Sequence, residues 1–336
     1  MELEFTADQD ELRASVRSVL AGECPIGLVR DVVEKGVTAD ELWARMVELD
    51  WPGLTIAEEH GGLGLGVVEL AVVLEELGRV IAPGPYFPTL SQFAPVIGHC
   101  GSDEQQARWL GAVARGELTG SVVFDGMATE AQHVDELVVS RADGSVVVVP
   151  REGCTVEPFT TFDRSRYMAR VSLADDASVD PDRVLARPEG LAAAREEATA
   201  ALAVEMVGTC QTIFDTALDY AKVREQFGVP IGSFQAIKHK FSDMYVALER
   251  ARATAYYAVL TIAEHDDRQP IAVSMAKAAA GDAQRIIAQE GIQIMGGMGY
   301  TWEHDMHLYV KRAKSGDAIL GSASAHRARV AELIGL

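Results

Sequence analysis

Leu202, Met206, Cys210, Ile213, Ala217 and Tyr220 recur at spacings of 4, 4, 3, 4 and 3. That rhythm lays one apolar stripe along a long helix. Such a stripe is stable only when other helices cover it, and the sequence supplies them. GVPIG (228–232) ends the first helix, and Ile237, Phe241, Met244 and Leu248 begin a second stripe. Pro270 opens a third helix, as proline does at a first helical position, and this one runs to the glycines at 296–299. A fourth spans about His304 to Lys314, and GDAILGS (316–322) leads into a last one. Residues 183–336 are therefore expected to form a C-terminal helical block.

Residues 1–115 also read as helices, at Asp8 to Ala21, Ala39 to Leu49 and Val67 to Val80. EEHGGLGLG (58–66) and PGPYF (83–87) break them. Residues 116–182 change character. SVVF (121–124), ELVVS (136–140), SVVVV (145–149) and RYMARVSL (166–173) are β-branched or alternating, and Asp143-Gly144 marks a hairpin. This middle region is expected to hold roughly five strands. The expected fold is mainly α with a small β domain, without internal repeats.

Composition narrows the function. A chain of 336 residues supports two or three domains or subdomains. A net charge of −20 disfavours nucleic acid and anionic membranes, so an anionic ligand needs a local basic pocket. Cys24, Cys100, Cys154 and Cys210 are far apart and form no zinc or disulfide pattern, which fits a reducing compartment. The acidic opening MELEFTADQDELR has no secretory pattern, and no apolar run reaches membrane-span length. A cytoplasmic location is expected.

Four features are candidates for chemistry. IQIMGGMGYTW (292–302) puts three glycines in four residues after a helix. The pattern is not a dinucleotide fingerprint, which follows a strand. It reads as a helix stop or as a close backbone approach to a ligand. REQFG (224–228) ends the long helix; Arg224 reads as a capping cation or as a phosphate clamp. His304 and His307 have i, i+3 spacing, but no further ligands support a metal. The acidic pairs Glu58-Glu59, Glu75-Glu76 and Glu196-Glu197 read as solvated faces.

Three stretches occur together in a familiar order. WPGLTIAEEHGGLGLGVVELAVVLEELGR (51–79) resembles the N-terminal helical domain of acyl-CoA dehydrogenases. YAKVREQFGVPIGSFQAIKHKFSDM (220–244) and IQIMGGMGYTWEHDMHLYVKRAK (292–314) are similar to that family's C-terminal segments. The resemblance covers nearly the whole chain. It implies an N-terminal helical domain (1–115), a middle β domain (116–182) and a C-terminal four-helix block (183–336). It also implies FAD shared across a subunit interface, with one chain's β domain around the flavin ring and its neighbour's C-terminal domain on the ADP half. The family's contacts to that half carry over to Arg224, Phe227, Gln235, Gln293, Gly296 and Gly297.

The departures matter as much. The family's catalytic base is a glutamate before a Gly-Thr; here AILGSASAH (318–326) puts Leu320 in its place. The FAD-contacting Thr-x-Glu that follows in many members is Ser322-Ala323-Ser324. Some members carry the base on the long helix, where gap-free counting reaches Ala198, with Glu197 adjacent and Glu205 further along. SVVFDGMATEAQHVDELVV (121–139) lacks the family's TEPxAGSD-like stretch and Trp-Ile-Thr-like strand, and the β domain is short. The expectation is a non-catalytic subunit of a hetero-oligomeric (α2β2) acyl-CoA dehydrogenase. It completes the FAD site of a catalytic partner, with a steroid side-chain or other bulky acyl-CoA as substrate and an electron-transferring flavoprotein as acceptor. The alternatives are an active homotetramer with Glu197 or Glu205 as displaced base, and a flavin-free scaffold.

Overall fold

The computed structural model describes residues 4–174 and 177–336. Its helices are α1 (Ala7–Glu23), α2 (Ile26–Lys35), α3 (Asp40–Glu48), α4 (Val67–Arg79), α5 (Tyr86–Pro88), α6 (Ala94–Cys100), α7 (Asp103–Ala114), α8 (Leu191–Val223), α9 (Gln235–Ala263), α10 (Gln269–Met295), α11 (Met306–Ala318) and α12 (Ala323–Leu333). Its strands are β1 (Gly120–Val122), β2 (Met127–Thr129), β3 (Glu136–Ser140), β4 (Val146–Pro150), β5 (Thr155–Phe159), β6 (Met168–Ser172), β7 (Glu225–Gln226) and β8 (Val229–Pro230). The fold is mainly α with small sheets, as the sequence indicates. Among the described residues no helix is long and apolar enough to cross a membrane.

Two compact units result. One gathers the described residues up to Ile26 with Ala71–Ala82 and Thr199–Leu336; the other gathers Gly27–Leu70 and Pro83–Ala198.

In the second unit, β1 lies parallel to β3, and β3 pairs antiparallel with β4 across the Asp143-Gly144 turn. A second sheet has the order β2-β6-β5. Leu137, Val139, Val147 and Val149 from one sheet join Ala128, Ala169 and Val171 from the other in one buried cluster. Two strands of this unit escaped the sequence reading. β2 has three residues, too few to alternate. β5 carries Pro158 and is half exposed on both faces, so it shows no period of two.

In the first unit, the stripe on α8 is core: Leu202, Met206, Cys210, Ile213 and Ala217 are at most 2% exposed. α4 crosses α8 at a pair of glycines. A Cβ on Gly208 would stand 1.9 Å from Glu75 O, and one on Gly78 would stand 2.1 Å from Glu205 O. Only glycine allows backbones this close. The crossing corrects the reading of Glu75-Glu76 as a solvated face, because both are 2% exposed. Buried carboxylates need partners, and here they have them. Glu75 receives Tyr256 Oη at 2.7 Å and ion-pairs with Arg252 and Arg13, while Glu76 takes Arg17 at 2.7 and 2.8 Å.

Candidate functional site

Where α8 stops, the chain doubles back. Arg224 follows the last helical residue, and its N–H still reaches Tyr220 O at 2.8 Å. β7 and β8 then pair, Gln226 opposite Val229. Phe227 and Gly228 between them have φ of 56° and 82°, the pattern of a type I′ hairpin turn. Glycine accepts that φ freely; phenylalanine does not. Phe227 is also 94% exposed. A large apolar ring at a strained position in open solvent is unfavourable twice over, and such outliers concentrate at functional sites. Its ring meets that of Phe234 edge to face, with centroids 6.2 Å apart.

Gln235 opens α9. Phe234 is its N-cap and supplies no side-chain hydrogen bond. The first-turn N–H groups of α9 therefore lack a side-chain cap, an arrangement suited to receive an anion.

α9 and α10 have 29 and 27 residues and are joined through residues 264–268. Near-equal lengths and a short connection bring the start of α9 beside the end of α10. An ion pair between Lys240 and Glu290 ties the two helices near that end. Gln235 is about 7.5 Å along the axis from Lys240, and Gln293 about 4.5 Å from Glu290. α10 ends at Gly296, with φ 58° and ψ −135°, a conformation that side chains resist.

Arg224, Phe227, Gln235, Gln293, Gly296 and Gly297 are all exposed; Phe227 lies beside Phe234 at the start of α9, and Gln293, Gly296 and Gly297 stand at the end of α10. A cavity of about 250 Å³ lies at the base of the hairpin, lined by Leu218, Ala221, Lys222, Pro230, Lys238 and Phe241. Lys222 is paired with Asp219 at 2.9 Å. The set thus offers an arginine, helix N–H groups, open glycine backbone and two amide side chains. Those donors fit a pyrophosphate and the edge of a purine.

Position 320 is different. Leu320 is 8% exposed, and its φ is 56°. Leucine cannot accept a proton. The carboxylates that could replace it are engaged. Glu197 Oε1 lies 2.6 Å from His99 Nε2, and Glu205 is paired with Arg312 at 3.1 Å, with both side chains at least 95% buried. Ala198 is fully buried. His304 Nδ1 accepts the Met306 N–H at 3.0 Å, and His307 stacks on Trp302.

Phe234 and Lys277 escaped the sequence reading. Phe234 sits seven residues after Phe227, and no local pattern singles it out. Lys277 showed only as a charge interrupting an alanine-rich run.

Two family models match the chain: acyl-CoA dehydrogenase, N-terminal domain, over residues 6–117, and acyl-CoA dehydrogenase, C-terminal domain, over residues 193–335. The acyl-CoA dehydrogenase IpdE2 of Mycobacterium tuberculosis is 33% identical over 317 residues, covering 94% of this chain and 93% of that protein. Among solved structures, the ChsE4-ChsE5 complex from Mycobacterium tuberculosis aligns over 100% of both chains with a TM-score of 0.93 and 24% identity. A variant of the Tcur3481-Tcur3483 steroid ACAD aligns over 97% of both, with a TM-score of 0.85 and 26% identity. The chain belongs to the acyl-CoA dehydrogenase family.

Proposed function

We propose that this chain is the non-catalytic subunit of a hetero-oligomeric, FAD-dependent acyl-CoA dehydrogenase, α2β2 in composition, and completes the FAD site of its partner. One contrast carries the proposal. The residues suited to the ADP half of FAD stand exposed together, while the family's base position holds a buried leucine.

When bound, FAD supplies the hydride acceptor for α,β-dehydrogenation of the acyl-CoA. Arg224 gives charge-assisted hydrogen bonds to the pyrophosphate. The α9 N-terminus adds N–H donors, and Gly296-Gly297 lets backbone approach the nucleotide. Gln235 and Gln293 orient the purine, and Phe227 covers it from water. Removal of the α-proton falls to the partner, since Glu197 and Glu205 are held by His99 and Arg312.

The likeness to a two-component steroid ACAD supports an unlike partner chain and a steroid side-chain CoA thioester as substrate. An electron-transferring flavoprotein is the acceptor the family implies. Arg224→Ala in the co-purified complex tests the site. FAD retention should fall at least about tenfold, the loss of one charge-assisted contact. Unchanged FAD content and turnover would remove Arg224 from the site.

A further inference from the structure

The turn between α11 and α12 places two left-handed residues in succession, Leu320 at φ 56° and Gly321 at φ 98°. Side chains from neighbouring helices fix its backbone. Lys277 of α10 is 0% exposed, and its Nζ donates to Asp317 O at 3.1 Å and to Gly321 O at 2.7 Å. His326 of α12 lies with Nε2 2.9 Å from Leu320 O. The Asp317 carboxylate accepts the Ala323 N–H at 2.9 Å. Gly281, one turn beyond Lys277, leaves room for that carboxylate, because a Cβ there would lie 2.4 Å from it.

A buried ammonium is costly to keep. Burial pushes Lys277 down to about 8, against the pull of Asp317. An apolar side chain would fill the same space without that cost. What lysine alone adds is a grip on two carbonyls, three residues before and one residue after Leu320.

We propose that Lys277 is a positioning residue for residue 320: by holding the carbonyls on either side, it sets the left-handed turn and the direction in which side chain 320 leaves the backbone. This rests on position 320 being where the family carries its carboxylate. With leucine at this position, the clamp holds Leu320 as a fixed apolar wall.

Hydrogen exchange on the full-length chain, with wild type beside Lys277→Met and His326→Ala, tests the clamp. The amides of Leu320–Ala323 should exchange at least about tenfold faster in Lys277→Met. They should also quicken, less strongly, in His326→Ala, with the middle of α10 still protected. A Leu320→Cys thiol should react at least about tenfold faster with a maleimide when Lys277→Met is added. Unchanged turn amides in both variants, or loosening spread evenly along α10, α11 and α12, would overturn the clamp. If Lys277→Met does not fold, His326→Ala decides by the same amides. Neither measurement involves flavin or partner, so a failure of the shared-FAD reading would leave this result standing.

Discussion

The ring of Phe227 meets the ring of Phe234 edge to face, 6.2 Å between centroids. This contact ties the hairpin tip to the N-cap of α9, which opens with Gln235. The contact leaves Phe227 94% exposed, so its ring still faces solvent at the hairpin tip.

Phe227→Asn separates folding from function at this tip. Asparagine accepts a left-handed φ far better than phenylalanine. The isolated chain should therefore melt no lower than wild type, and relieved strain could add up to ~1 kcal/mol. The complex should nevertheless lose FAD about tenfold more readily, a change of ~1.4 kcal/mol. Chemical denaturation and flavin retention on gel filtration measure the two effects. A variant that lost stability and kept its flavin would show Phe227 to be structural.

The Glu205–Arg312 pair should behave as a structural ion pair. Both side chains are at least 95% buried. Removing one partner leaves an uncompensated charge, so Arg312→Met should cost about 3–5 kcal/mol in urea denaturation. The double variant Arg312→Met with Glu205→Leu should recover much of that loss. A Glu205→Gln chain that stayed stable but cost the enzyme its turnover would instead make Glu205 catalytic.

The His99–Glu197 contact gives a pH dependence with a definite sign. Donating a hydrogen bond to the Glu197 carboxylate, opposed by partial burial, raises the His99 pKa above its usual 6.5. A raised folded-state pKa means that the stabilisation is complete below that usual value. It fades as pH rises through the folded pKa. His99 is 36% exposed, so screening limits the effect to a few tenths of a kcal/mol. The stability gap between wild type and Glu197→Gln should be larger near about pH 6 than near about pH 9. A gap independent of pH would show that the histidine is not charged in the folded chain.

Leu320→Glu places a carboxylate where the proposed function puts the family's base. On that proposal the isolated variant should still not oxidise acyl-CoA, because the flavin-ring side of the site belongs to the partner. Dye reduction with an acyl-CoA measures this. Turnover by the lone variant would show that only the base is missing.

Helices with a clear stripe were legible because their period of 3.6 is written in residues such as Leu202, Met206 and Cys210. The Asp143-Gly144 hairpin was legible because turn chemistry is local. β2 and β5 were not, being short or half exposed without alternation. Glu75 and Glu76 read as surface because no local pattern reveals that Arg252, Arg13 and Arg17 arrive from distant helices. At the site, the glycines and Arg224 could be read individually. Their gathering depends on α9 and α10 having nearly equal lengths, which sequence shows only after the ends are known. The left-handed φ of Phe227 and Leu320 left no local signal at all.

Counting flavin bears on the half site most directly. The chain should be purified alone and with a co-expressed acyl-CoA dehydrogenase partner, and FAD measured per chain by absorbance. A shared site gives no stoichiometric FAD on the lone chain and about one FAD for each pair of unlike chains. A lone chain that binds stoichiometric FAD and reduces dye with an acyl-CoA would contradict it.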